Sequence, residues 1–338
     1  MILEGRREAV LRIIVKDYIT GTVPVASKAI VDRYGLEVSP ATIRNDIACL
    51  EEEGYVTHPH HSAGSIPTDK AYRYYVELIG EDIELPPGEQ YLIYHLLQET
   101  SGEIERWLRL AAVLLARFVR NMAIVTSPRA THSRLKYLDL VALQDFVALL
   151  ISVLYGAKVK QQVLSFSRRF TQDELTKVAN KLTVIYAGMT SSEILANKAG
   201  LSSEEKQVSQ CLANMMGTED KLEYGEPYLE GLRLMLSQPE FANNPKTLNI
   251  LEILEGEDWL RNISCQELSR GVVKAIIGEE NPEPSLQGLS LIISPYGIPD
   301  KASGIVGVLG PKRMDYARAI SSLNYLSMLL SNSIASQW

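Results

Sequence analysis

Residues 39–67 place the tightest constraint on what this chain can fold into. Ser39 offers an N-cap hydroxyl, and Pro40 takes the first helical position, where a missing N–H costs nothing and φ is already set. Ile43, Ile47 and Leu50 then form an i, i+4, i+7 stripe, and Gly54 follows Glu51-Glu52-Glu53 as a stop. The spacing predicts a helix that buries one side. Its opposite side, near the N-terminal end, offers Thr42, Arg44 and Asn45, which can hydrogen-bond to base edges and phosphates. Upstream, Val10, Ile13, Ile14 and Tyr18 predict a helix over about 6–19, and Ala29, Ile30 and Val31 a short one over 26–34. Helix, short turn and helix with a polar N-terminal half is the pattern of a helix-turn-helix reader. Past Gly54, Tyr55-Val56-Thr57 reads as a strand, and 59–67 is a turn-rich loop bordered by His58 and carrying His60, His61, Ser62, Gly64 and Ser65, which suits a wing. An amphipathic helix follows from Thr68, and Glu84-Leu85-Pro86-Pro87-Gly88 reads as a linker that ends the first domain.

The 338 residues leave room for two domains, with three not excluded. Charges of 34 Lys and Arg against 41 Asp and Glu give −7, which argues against a protein that coats nucleic acid or membrane everywhere. A local DNA-reading face is compatible with that balance. Residues 1–75 carry nine Lys or Arg against ten Asp or Glu, so the weight falls on local geometry rather than on bulk attraction. Cys49, Cys211 and Cys265 lie far apart, suggesting neither a disulfide ladder nor a paired-cysteine metal cluster, and the expected compartment is a reducing cytoplasm. The N-terminus mixes acid with base and leads into an amphipathic run, unlike a signal peptide. No stretch of 18 apolar residues appears, so no membrane span is expected.

Periodicity predicts a helix over 90–120, divisible near Ser101-Gly102, and three sequential antiparallel strands over 136–165. Helical character returns over 171–187 and 207–216. A strand is expected at 228–233, a helix at 249–254, three more strands at 272–277, 289–294 and 304–309, and a closing helix over 315–333. Strands on both sides of a helical stretch suggest one α+β domain interrupted by an insertion at 168–222.

Other chemical candidates are weaker. His58, His60 and His61 cluster, but adjacent imidazoles on a loop do not easily face one ion and no Cys, Asp or Glu completes a compact set; contact with phosphate or solvent is the better reading. Gly304, Gly307 and Gly310 with Lys312 lack the phosphate-loop spacing, and fit a twisted strand and tight turn. Glu279-Glu280 could serve acid–base chemistry only if buried beside a substrate. No nucleophile elbow, zincin motif or dinucleotide fingerprint is present, so neither an enzyme nor a metal or cofactor is expected. The competing reading is a protein-interaction module whose N-terminal helices bind another protein rather than DNA.

Longer blocks carry a resemblance. Ser39-Pro40-Ala41-Thr42-Ile43-Arg44-Asn45-Asp46, Leu50-Glu51-Glu52-Glu53-Gly54-Tyr55, Pro59-His60-His61-Ser62-Ala63-Gly64 and Pro67-Thr68-Asp69-Lys70-Ala71-Tyr72-Arg73-Tyr74-Tyr75-Val76 resemble the signature of the HrcA heat-inducible transcription repressors. Ile277-Gly278-Glu279-Glu280-Asn281, Pro295-Tyr296 and Gly310-Pro311-Lys312-Arg313-Met314-Asp315-Tyr316-Ala317-Arg318 are similar to its C-terminal blocks in the same order. The resemblance implies a multidomain α+β chain: a winged helix-turn-helix over 1–82, a GAF-like domain over 88–167 and 223–338, and an inserted dimerisation subdomain over 168–222. It also implies a homodimer on an inverted-repeat operator in double-stranded DNA, repression of chaperone operons relieved by heat, and the chaperonin GroEL as modulator. The expected DNA-binding residues are Ser39, Thr42, Arg44, Asn45, His60, Ser62 and Ser65. Ser65 stands where the family usually has Arg, and Ala71 where it has Gly.

Overall fold

The computed structural model describes residues 5–34, 38–60, 63–80, 83–98, 104–130, 133–155, 159–197, 200–220, 225–242, 246–256, 258–261, 272–298 and 302–337. They form an α+β protein with several antiparallel sheets. The chain divides into two compact units: Met1–Ser127 with Glu226–Gly297 and Gly304–Trp338, and Pro128–Gly225 with Ile298–Ser303.

The first unit begins with α1 (Arg6–Gly21), α2 (Ser27–Tyr34) and α3 (Pro40–Glu52), followed by β1 (Val56–Thr57), β2 (Ile66–Pro67) and α4 (Asp69–Ile79). Val10, Leu11, Ile14 and Val15 of α1 and Ile30 of α2 are buried, as is the α3 stripe Ile43, Ile47 and Leu50, and both helices pack against α3. Strands β1 and β2 pair antiparallel, Val56 opposite Pro67 and Thr57 opposite Ile66. Next come α5 (Pro87–Gln98) and α6 (Ile104–Val119), the two parts expected of the 90–120 helix.

After α6 the chain enters β3 (Met122–Thr126), then β4 (Arg129–Ala130), β5 (Leu135–Gln144), β6 (Val147–Leu154) and β7 (Val159–Ser165). Helices α7 (Gln172–Tyr186), α8 (Ser191–Ala196) and α9 (Ser203–Asp220) precede β8 (Pro227–Glu230) and α10 (Leu232–Leu236). The remainder is α11 (Lys246–Glu255), α12 (Asp258–Arg261), β9 (Lys274–Ile277), β10 (Leu289–Ile298), β11 (Ala302–Pro311) and α13 (Tyr316–Gln337).

The first unit's main sheet has the order β8-β3-β11-β10-β9. Its central strands are buried along nearly their whole length, because α6 and α13 cover the sheet with apolar side chains. Gly304 makes room for the Tyr296 ring, which a Cβ would meet at 2.6 Å, so close packing explains this glycine. Helix α4 is tied to the same sheet. Lys312 Nζ lies 2.5 Å from Asp69 Oδ1, the Glu279 N–H donates to Asp69 Oδ2 at 3.0 Å, and Arg73 donates to the Ala275 carbonyl at 2.7 Å and to the Glu280 carboxylate. Glu280 is thereby a structural anchor, and it also accepts the Ile277 N–H at 2.9 Å.

In the second unit β5, β6 and β7 form their own antiparallel sheet, with Val141 opposite Leu149 and Leu149 opposite Val163. One face, with Leu138, Leu140, Leu150 and Leu164, joins Leu175, Leu182, Leu212 and Met216 from α7 and α9 in a single core. The sequence reading assigns these strands to the same domain as the later ones. The structure instead groups them with the helices, so the interrupting unit starts at Pro128 and mixes sheet with helix. Sequential hairpins pair with one another first, and local alternation does not say which sheet a strand joins.

Candidate nucleic-acid interface

The site is built around the start of α3. Ser39 sits at φ −72° and ψ 151°, and its Oγ accepts the Thr42 N–H at 3.1 Å while lying 3.0 Å from Thr42 Oγ1. This cap satisfies one of the donors that a helix start leaves unpaired, and Pro40 lacks that donor altogether. Burial of Ile43, Ile47 and Leu50 then fixes the rotation of the helix, leaving Arg44 and Asn45 exposed and Thr42 partly so. Neither Arg44 nor Asn45 makes an ion pair or hydrogen bond among the described residues, so five guanidinium donors and a side-chain amide face outward from the helix's positive end.

Asp46 interrupts the apolar side of α3 and is only 7% exposed. Arg6 forks onto it, Nε to Oδ2 at 2.6 Å and Nη2 to Oδ1 at 3.0 Å, and Arg7 Nη1 donates to Glu53 Oε1 at 3.0 Å. These two pairs pin α3 to α1 along its length. The sequence reading did not single out either anchor, although an acid three residues after Ile43 and four before Leu50, within the buried stripe, is a signal that a partner must exist.

The hairpin is clamped to the other end of α3. His58 Nδ1 is 2.8 Å from Glu51 Oε1, and its Nε2 is 3.2 Å from Ser65 Oγ. Ser65 also exchanges two backbone hydrogen bonds with Val25, both 2.9 Å. A Cβ on Gly64 would fall 2.6–2.7 Å from the backbone of Pro24 and Val25, so glycine is what lets the loop lie against that segment. His60 is exposed at the hairpin tip, where its carbonyl accepts the Ala63 N–H at 2.9 Å. Ser62 lies outside the described residues, as does His61. Ser65 is the correction: it is 1% exposed with its hydroxyl turned to His58, so it does not present a donor to a bound duplex. The expected residues Ser39, Thr42, Arg44 and Asn45 thus share one helix start, and His60 stands on the hairpin.

Among the described residues no group of three His, Cys, Asp or Glu side chains could hold a metal ion, and no described helix is long and apolar enough to cross a membrane.

Residues 105–320 match the family model described as the HrcA protein C terminal domain. A heat-inducible transcription repressor HrcA from Dehalococcoides mccartyi is 44% identical over 333 residues, covering 98% of this chain and 96% of that protein. The chain belongs to the HrcA family. Another HrcA, from Chloroflexus aggregans, is 36% identical over 350 residues, covering 98% of this chain and 93% of its own. Both HrcA relatives bear the name of a heat-inducible transcription repressor. A crystal structure titled as that of a hypothetical protein shares the fold, with a TM-score of 0.62 at 23% identity over the whole of both chains. The HrcA family model begins just inside α6, whereas a 98% match leaves too few residues unaligned to omit the α3 and hairpin segment.

Proposed function

We propose that this HrcA family member represses heat-shock chaperone operons by binding an inverted-repeat operator as a homodimer, and that heat releases it. Residues 6–79 act as the winged helix-turn-helix, and the sheet β8-β3-β11-β10-β9 with α6 and α13 as the GAF-like domain. The observation that carries the reading is the start of α3: Arg44 and Asn45 stand outward while Asp46 and the apolar stripe are locked inward. Arg44 contacts a guanine edge or a phosphate, and Asn45 an adenine edge. Ser39 and Thr42 approach phosphate at the positive end of the helix, and His60 and Ser62 approach from the wing. Ser65 acts indirectly, holding His58 and the wing in place.

A second copy of the chain pairs through the outer face of the β5–β7 sheet. There the register aligns Tyr137, Val153 and Val159 in one row and Val141, Leu149 and Val163 in another. Tyr137 is 44% and Val163 56% exposed, an apolar surface of the sort that marks an interface. Two-fold pairing matches two reading helices to a palindromic site. Chaperonin GroEL modulates the amount of active repressor.

The test is fluorescence anisotropy of the purified protein on a duplex carrying the chaperone-operon inverted repeat and on a scrambled duplex, at two salt concentrations. A preference of about 10³ or more is expected, together with a loss of about 1–3 kcal/mol on Arg44→Ala. Equal, feeble binding to both duplexes by folded dimer overturns the reading.

A further inference from the structure

The DNA-reading segment is poor in free positive charge. Of the nine Lys and Arg in residues 1–75, Arg6, Arg7, Arg33 and Arg73 are paired to Asp46, Glu53, Asp17 and Glu280. Lys70 is held by the Glu53 carbonyl at 2.7 Å and stands over the Tyr55 ring. A duplex, by contrast, carries one negative charge per about 1.7 Å of axis, and neutralising those phosphates is the main source of affinity. Arg12, Lys16, Lys28 and Arg44 are left for phosphate, and charge elsewhere in the chain would add to them.

Helix α6 holds it. Residues 104–120 contain Arg106, Arg109, Arg117 and Arg120 against one acid, Glu105, in a chain whose net charge is −7. The spacing 106, 109, 113, 117 advances by three, four and four residues, which at about 100° per residue keeps Arg106, Arg109 and Arg117 within an arc of about 80°, and Arg120 follows just past the helix end at φ 54°. All four are exposed, while Leu108, Ala111, Ala112, Leu115 and Val119 on the other side are buried against the sheet and α13. Arg109, Arg117 and Arg120 form no ion pair among the described residues; Arg109 stands over the Tyr228 ring at 5.7 Å. The C-terminal end of α6 is linked to α1 by a relay of hydrogen bonds within the same compact unit. Arg313 donates to the Ile19 carbonyl in the last turns of α1 at 3.2 Å and to Gln238 Oε1 at 3.4 Å, and Gln238 donates to the Arg120 carbonyl at 3.0 Å.

We propose that the arginine stripe of α6 is a second DNA-contacting surface, which grips the phosphate backbone flanking the operator while α3 reads the bases. This rests on the DNA-binding reading above. Three guanidinium groups on one helix face, with a fourth just past its end, suit a polyanion with regularly spaced phosphates, and they add affinity without sequence preference.

The test uses the full chain and its R109Q/R117Q double variant, both exposed substitutions to a good helix former, with circular dichroism to confirm folding. Each is titrated by fluorescence anisotropy against a duplex trimmed to the inverted repeat and against one extended by about two helical turns on each side, between 50 and 200 mM salt. The wild type is expected to bind the longer duplex more tightly. The double variant is expected to lose that gain, with its log–log salt slope on the longer duplex smaller by about 1.8 per chain, while binding the trimmed duplex unchanged. Wild-type affinity and slope of the double variant on the longer duplex would overturn the stripe and leave the reading helix standing. An equal loss on both duplexes would also overturn it, because flanking contact predicts a difference between them. Failure of the wild type to bind either duplex would overturn the DNA reading itself.

Discussion

Ser39 does two things that different substitutions separate. Its hydroxyl caps α3, accepting the Thr42 N–H, and it stands exposed where phosphate is proposed to lie. Ser39→Ala should cost about 1 kcal/mol of stability and Ser39→Gly only a few tenths, since glycine tolerates the cap position. Urea unfolding checks this; equal losses would mean that the cap contributes nothing. Both variants should weaken operator binding if the hydroxyl also meets phosphate. Gly64 is a sterner case, because any side chain there meets the backbone of Pro24 and Val25. Gly64→Ala should destabilise the N-terminal segment by about 1–3 kcal/mol, read in the same experiment. At this scale Arg44 and Asn45 were legible, since three apolar residues at helical spacing fix which side faces out. The burial of Ser65 was not: the partner that turns it inward, Val25, lies forty residues earlier, and nothing in the local pattern names it.

Elements show the same limit. The longer helices were legible from their periodicity, including the division between α5 and α6 and the long α13, whereas the short α8, α10 and α12, of six residues or fewer, show too little of a period to be read. Strand β3 was passed over, although it pairs with both β8 and β11. Its run Met-Ala-Ile-Val-Thr is buried at every position, so it has no alternation to betray it. Strand β6 shows the opposite, half-buried and buried residues alternating along its length, and two substitutions at neighbouring positions across the β5–β7 sheet follow from that. Leu150→Ala, in the core, should destabilise by about 2–5 kcal/mol. Val163→Glu, on the outer face, should leave the melting temperature within a few degrees and convert dimer to monomer in sedimentation equilibrium. A monomeric wild type, or a Val163→Glu dimer, would remove this face from the interface.

For the whole molecule, three buried tyrosines set the alkaline limit of stability. Burial raises the phenols of Tyr72, Tyr296 and Tyr316 well above their ordinary value, with the Tyr72 and Tyr316 rings 5.8 Å apart and tilted by 40° between α4 and α13. Above about pH 10 the unfolded chain loses these protons and the folded one keeps them. The folded state then binds more protons, so stability is intact below pH 10 and falls as pH rises beyond it, by about 1.4 kcal/mol per pH unit for each tyrosine. Urea unfolding at pH 9, 10 and 11 should show the decline, shallower in Tyr316→Phe. A flat profile would mean that these phenols ionise in place.

All of the second unit except Ile298–Ser303 is spliced into the first between β3 and β8, which are themselves antiparallel neighbours, Thr126 opposite Pro227. The Ser127 N–H donates to the Glu226 carbonyl at 2.9 Å, so the chain leaves and re-enters the host sheet through the two sides of one ladder rung. Nearly a hundred residues thus occupy the place of a hairpin turn. Replacing 128–225 by a short turn would keep the β3–β8 ladder in register while stripping β4 from the start of β11, so the loss of the graft asks for repair only at that one strand end.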